Sequence, residues 1–390
     1  MLNKMDNKNY LNQASVKLFP LFLLLVLMCL SGCVQTNTPE GWSSGIVVDS
    51  ILYTGTMDGE VRAIDIEKGE LIWKFDKLKG ESSLTHAIYG TPAISEDTLF
   101  IGAYDGFLYA ISTKDGNDIW DIKIGDGDPI VGSPVVLDNM VLLGSSDGKV
   151  YAFDYDNDSR DGSLKWVFDT GGEVWSTPTI ANDVVYFGSL DHNIYAVSLD
   201  SGIEKWHFTT NGGVVSSPLV MNGRVYVGSF DSVFYAVDAK NGQKVWSFDD
   251  ASSWFWGDPV SEEDKIYAPS LDGNMYVLAM EDGEMQWKVE TGGPIIGAPA
   301  IAGNRVVINS LDGRVRLVRL DKGTDERQCN IDVDLKSTPV YSENYVYVSA
   351  TDHSIRSLYI DSRGDPDEEW VHFSNRDDPV KYDPEYDPPC

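Results

Sequence analysis

An aspartate returns along this chain at intervals of 40 to 47 residues, as Asp58, Asp105, Asp147, Asp191, Asp231, Asp272, Asp312 and Asp352. Other residues keep register with it. A proline opens a short apolar run at Pro92, Pro134, Pro178, Pro218, Pro259, Pro299 and Pro339, with Gly45 in the first copy. A tryptophan closes most copies, at Trp73, Trp120, Trp166, Trp206, Trp246, Trp287 and Trp370, while Arg327 takes that slot in the seventh. Eight copies in register restrict the fold more than any composition could, because a unit of this size buries its apolar faces only against its neighbours.

The fifth copy, Ser216 to Asp249, shows what one unit is. SPLVMN and RVYVG alternate apolar and polar residues about Asn222-Gly223, the pair that supplies positive φ angles to a two-residue hairpin. VFYAVD follows the Asp231-Ser232 turn and KVWSF follows Lys240 to Gln243, so four short strands sit between tight turns with no helical period. Four-stranded units repeated eight times predict an all-β chain, an eight-bladed β-propeller of four-stranded blades over residues 43–373. Lys77 to Ala87 enlarges one connection between blades, and Tyr155 to Ser163 lengthens a turn in the third. Each blade is either contiguous in sequence or completed by an edge strand from Gln35 to Trp42.

The ends of the chain fall outside the repeat. Lys4, Lys8 and Lys17 precede Leu18 to Leu30, an apolar run broken by Pro20 and too short to span a bilayer comfortably, so residues 1–32 read as a secretory signal peptide. Leu30-Ser31-Gly32-Cys33 resembles the lipobox of bacterial lipoproteins, which implies lipidation of Cys33 and residues 33–42 as a membrane tether; an ordinary signal peptide with an incidental cysteine is the other reading. Two or more acyl chains would make such anchoring stable. The tail, 374–390, is rich in proline and acids and reads as extended and disordered. A formal net charge of −31 argues against phosphate-backbone binding and hence against nucleic acid as a partner. Four cysteines, Cys29, Cys33, Cys329 and Cys390, make neither a disulfide framework nor a C-x-x-C metal site.

The run Ala63, Asp65, Gly69, Trp73, repeated as Ala236, Asp238, Gly242, Trp246, resembles the tryptophan-docking motif of the pyrroloquinoline-quinone-like propeller repeat. The resemblance implies that the seven closing tryptophans pack between blades against the small residues of the motif. Val277, Leu317 and Ser357 replace its alanine in the later blades, so docking there is expected to be looser. Quinoprotein dehydrogenases of this type carry adjacent cysteines, a calcium beside the quinone and a catalytic aspartate, and none of these can be matched here residue by residue. No catalytic residue is therefore assigned, and pyrroloquinoline quinone is the less favoured ligand. The lipoprotein leader and the blade number are closer to the outer-membrane protein assembly lipoproteins. That resemblance implies an exported, monomeric, non-catalytic interaction scaffold for envelope proteins or peptides; a quinone or small-ligand binder, and so a redox protein, is the alternative.

The face that gathers the Asp turns and the connections between blades is the expected functional surface. Three residues before each first-strand proline, or Gly45, stand Trp42, Tyr89, Val131, Trp175, Val215, Trp256, Ile296 and Lys336, with Trp254 and Phe255 beside Trp256. Such aromatics offer flat surfaces to a ligand or partner, or they plug the channel. Asp154, Asp156, Asp158 and Asp161 alternate as carboxylates in a calcium loop do. Ser159 and Lys165, however, stand where glycine and glutamate are wanted, so the stretch reads as a solvated turn. The repeating aspartates read as hairpin caps.

Overall fold

The computed structural model describes residues 41–79, 87–156, 161–321, 323, 325–361, 363–374 and 380–381. The leader, Cys33 and nearly all of the tether lie outside them. The described residues form strands and turns only, in eight antiparallel sheets whose four strands follow one another in sequence. The chain is an eight-bladed β-propeller. In the fourth blade the strands are Thr179–Ala181, Val184–Gly188, Asn193–Ser198 and Glu204–Thr209. The second of these is buried throughout, whereas the fourth is largely exposed apart from Trp206. Inner strands are covered on both faces by adjacent blades, and the outermost strand keeps one face in water, so a near-continuous apolar run gives way to alternation.

There is no single core. Eight apolar clusters each join two adjacent blades, for example Val184, Tyr186, Ile194 and Trp206 of the fourth blade with Val225, Val227 and Tyr235 of the fifth. Each closing tryptophan faces the small-residue slot of its own third strand, as in Ala63↔Trp73 and Ala196↔Trp206, and a bulge follows that slot in every blade. The ring then lies over a glycine of the next blade. A Cβ on Gly116, Gly202 or Gly242 would come within 2.6 Å of Trp73, Trp166 or Trp206. The indole N–H donates to a carbonyl there: Trp73 to Thr113 at 2.8 Å, Trp166 to Leu199 at 2.8 Å, Trp206 to Ala239 at 3.0 Å and Trp246 to Met280 at 3.2 Å. These glycines have φ near +70°, where L side chains are strained, so glycine serves both the turn and the contact.

Departures from the motif change the seams locally. The Tyr155 to Ser163 insertion extends a hairpin, with Asp156 paired to Asp161, and Trp120 accordingly packs against Gly162 rather than a left-handed glycine. Trp287 still covers Gly323. At the seventh seam Arg327 pairs with Asp365, and Arg305 donates to the Arg363 carbonyl at 2.7 Å, so ionic contacts stand where the indole does elsewhere.

Among the described residues no strand is exchanged to close the ring. Leu52, Ile64 and Ile66 of the first blade pack with Tyr347, Ile355 and Trp370 of the last, and the Trp370 N–H donates to the Ile66 carbonyl at 2.9 Å. Residues 41–44 form no strand, so within the described residues the first blade has no edge strand from the N-terminal side. An added strand occurs at the other end: Val380–Lys381, within the tail, pairs with Trp370 and Val371. Cys329 is buried and disulfide-bonded.

Candidate functional site

The stretch before each first strand runs inward toward the axis, and there successive residues point in opposite directions. One points into the seam: Ile88, Ile130, Val174, Val214, Ile295 and Leu335 are all essentially inaccessible. The next points to the axis. Trp42, Tyr89, Val131, Trp175, Val215, Trp256, Ile296 and Lys336, one from each blade, line a single open cavity. Phe255 does not belong with them. It is 1% exposed and occupies the seam position of the sixth blade, against Gly228, Phe234 and Tyr276, because it precedes Trp256 as Val174 precedes Trp175.

The rim aromatics form two groups. Trp42 and Tyr89 meet edge to face at 4.6 Å, Tyr89 contacts Tyr104 at 5.5 Å, and the Lys336 ammonium lies 5.2 Å from the Trp42 ring centre. The contact is a cation–π pair, favoured by the negative face of the indole. Further round the ring, Trp175 and Trp256 are 6.2 Å apart, Trp256 touches Phe230 at 5.4 Å, and Phe230 stacks on Trp254 at 4.5 Å. Trp254 is 46% exposed, so this second group reaches from the axis out onto the face of the propeller.

Two residues beyond the rim lies a second ring. Ser44, Thr91, Ser133, Thr177, Ser217, Asp258, Ala298 and Thr338 all line the cavity. The backbone N–H of one blade donates to the side-chain oxygen of the next: Thr91 to Ser133 at 2.8 Å, Ser133 to Thr177 at 3.0 Å, Thr177 to Ser217 at 2.9 Å and Ser217 to Asp258 at 2.6 Å. Ala298 to Thr338 at 2.9 Å and Thr338 to Ser44 at 2.8 Å continue it. Asp258 thus places a carboxylate where the other blades have a hydroxyl, and Ala298, beyond it, has no oxygen with which to continue the ring. Burial pushes the Asp258 carboxyl above its usual range, against the lowering effect of its hydrogen bonds from Ser217. Sequence reasoning missed Asp258, although the signal was present: it stands in the slot before proline that is otherwise small or hydroxylated.

The repeating aspartates lie on the same face and hold it together. Asp191 accepts from the Asn193 N–H at 3.0 Å, from the Gly171 N–H of the preceding connection at 2.8 Å, and from the Tyr195 hydroxyl at 2.6 Å. The same tyrosine recurs as Tyr109, Tyr151, Tyr235 and Tyr276, and in the seventh and eighth blades Arg316 and Arg356 replace it. Burial and then the aspartate bond raise the tyrosine pKa values, while the donors converging on Asp191 outweigh its burial and lower its own. His192 and His353 have positive φ in these turns, and His353 Nδ1 sits 3.2 Å from Asp58. Of the calcium candidates, Asp158 and the side chains of Asp156 and Asp161 lie outside what is described; Asp154 faces Lys165 at 3.5 Å. Among the described residues no three His, Cys, Asp or Glu side chains cluster as metal ligands, and no helix is long and apolar enough to cross a membrane.

Known proteins fit this architecture. The model of the family described as "Outer membrane protein assembly factor BamB" matches residues 57–174, 155–255 and 251–332. An outer membrane protein assembly factor BamB of Legionella pneumophila is 30% identical over 82 residues, 20% of this chain and 21% of that protein. The 1-butanol dehydrogenase (cytochrome c) of Thauera butanivorans is also 30% identical, over 80 residues that make up 20% of this chain and 12% of that enzyme. The matched stretches are thus 20% of this chain and 12% to 21% of those proteins, about two blades. Among solved structures, BamB from Moraxella catarrhalis aligns over 79% of this chain and 93% of its own with a TM-score of 0.66 at 16% identity. The computationally designed Ika8 protein aligns over 83% and 98% with a TM-score of 0.71 at 19% identity. At these identities the likeness is one of fold.

Proposed function

Because the chain belongs to the family described as outer membrane protein assembly factor BamB, we propose that it is an exported, lipid-anchored interaction scaffold that binds envelope proteins engaged in outer-membrane assembly. The observation that carries this reading is the aromatic track Trp175, Trp256, Phe230, Trp254, continuous from the axial cavity to an exposed indole. Large, rigid aromatics half out of water beside a cavity are the residues on which protein partners concentrate binding energy. Export is supported by the apolar leader before Cys33 and by the disulfide of Cys329, since such bonds persist in oxidising compartments.

The test is capture from cross-linked envelopes of cells expressing the full chain. Wild type is expected to bring down a component of outer-membrane protein assembly, and Trp254→Ala, folded to the same melting temperature, to lose most of it. Failure of the wild type to capture any such component, or saturable binding of pyrroloquinoline quinone with dehydrogenase activity, overturns the scaffold reading.

A further inference from the structure

The axial cavity has its own charge pattern. Asp258 presents its carboxyl at the level of the hydroxyl ring, two residues beyond Trp256, and one of its oxygens is committed to the Ser217 N–H. Trp256 and Trp175 stand above it on the rim. Among the described lining residues, Lys336 is the sole cation and it lies over Trp42, in the other aromatic group. That contact shows that a rim indole already receives an ammonium in this molecule. The overall charge of −31 biases approach toward cations.

A recessed carboxylate is costly to keep charged, and in its slot the other blades place a hydroxyl, or alanine, without loss of the fold. An ammonium guest would offset that cost from below through the Asp258 charge and from above through the indole faces, which favour cations and repel anions. An anionic quinone would meet the carboxylate as a like charge.

We propose that the mouth of the channel is a binding site for an ammonium group, seated between the Trp175–Trp256 pair and the Asp258 carboxylate. The proposal rests on the scaffold reading only for its source: the group is presented by a lysine side chain of the bound partner, or by a free small amine. Cation binding favours the ionised carboxylate. Since Asp258 has a raised pKa, affinity is low while the group is protonated and increases as pH rises through that pKa. The other titratable groups lining the cavity are Tyr89 and Lys336.

The experiment titrates the purified full chain with tetramethylammonium chloride and, separately, with Nα-acetyl-lysine amide, reading tryptophan fluorescence and calorimetric heat, with sodium chloride as control. Saturable binding of either probe is expected, at least about tenfold weaker in Asp258→Asn. That variant keeps the oxygen facing the Ser217 N–H and should also abolish the pH dependence. Trp175→Leu should weaken binding with the melting temperature held. No saturable signal with either probe, or equal affinity in a folded Asp258→Asn variant, overturns the site. If probes bind and Asp258→Asn also loses envelope capture, the source is a partner side chain; if capture is unchanged, it is a free amine. Probe binding without any capture by wild type leaves this site standing and removes the scaffold reading instead.

Discussion

Phe255 and Trp256 are adjacent and both aromatic, yet one is sealed in a seam and the other opens onto the channel. Their side chains leave an extended backbone on opposite sides, so a single step along the chain exchanges core for site. Phe255 fills the space between the fifth and sixth blades, where a Cβ on Gly228 would approach it to 2.2 Å. Truncating it removes contacts on every side: Phe255→Ala is expected to cost about 3–5 kcal/mol in chemical denaturation. Trp254→Ala, losing one stack on Phe230 and an indole 46% exposed, is expected to cost about 1 kcal/mol or less. Equal losses would mean that Trp254 is structural and that the aromatic track is an extension of the core.

At the level of the element, the unit is a hairpin tied to the connection before it. Asp105 accepts from the Phe107 N–H at 3.0 Å, the Lys79 N–H at 2.9 Å and the Tyr109 hydroxyl at 2.5 Å, so one carboxylate serves turn, connection and sheet. Its spacing to the tyrosine is visible in the sequence, but the bond is not, because a tyrosine two residues along a strand from a turn points either to the carboxylate or away from it. Tyr109→Phe leaves that buried acceptor short of a donor and is expected to cost about 1–3 kcal/mol, measured by denaturant unfolding. In the last two blades the guanidinium of Arg316 or Arg356 makes the same contact with an added charge. Arg316 and Arg356 in the tyrosine slot thus keep the same role, which a motif search keyed to tyrosine passes over.

For the whole molecule the decisive seam is the one between the last blade and the first. Every other pair of blades is joined by the chain, whereas this one is held by packing around Trp370 and by the buried cluster in which Arg62 Nη1 meets His372 Nε2 at 2.7 Å. Loop closure makes the difference: a blade that detaches at an internal seam remains tethered on both sides, while one at the closure is free at one end. Trp370→Ala, expected to cost about 3–5 kcal/mol, should therefore destabilise more than Trp206→Ala, and hydrogen exchange should rise first in the first and eighth blades. Equal losses, with exchange spread evenly round the ring, would show that closure is not the weak point.

The sequence by itself determined the number of blades, the four strands in each and the small-residue seats beneath the tryptophans. The strands follow from patterns inside one unit, where the period of a strand and the chemistry of a turn are local, and the blade number and the seats follow from the recurrence of that unit along the chain. It also brought the eight axial positions to notice, because their register with the following proline is local too. Only the tertiary structure decided that Phe255 faces a seam, that Asp258 replaces a hydroxyl in a ring of hydrogen bonds between blades, that Arg327 pairs with Asp365, and that among the described residues the ring closes without exchanging a strand. Each of these depends on residues a blade apart or at opposite ends of the chain, and their meeting is set by the curvature of the closed ring, which no single repeat contains.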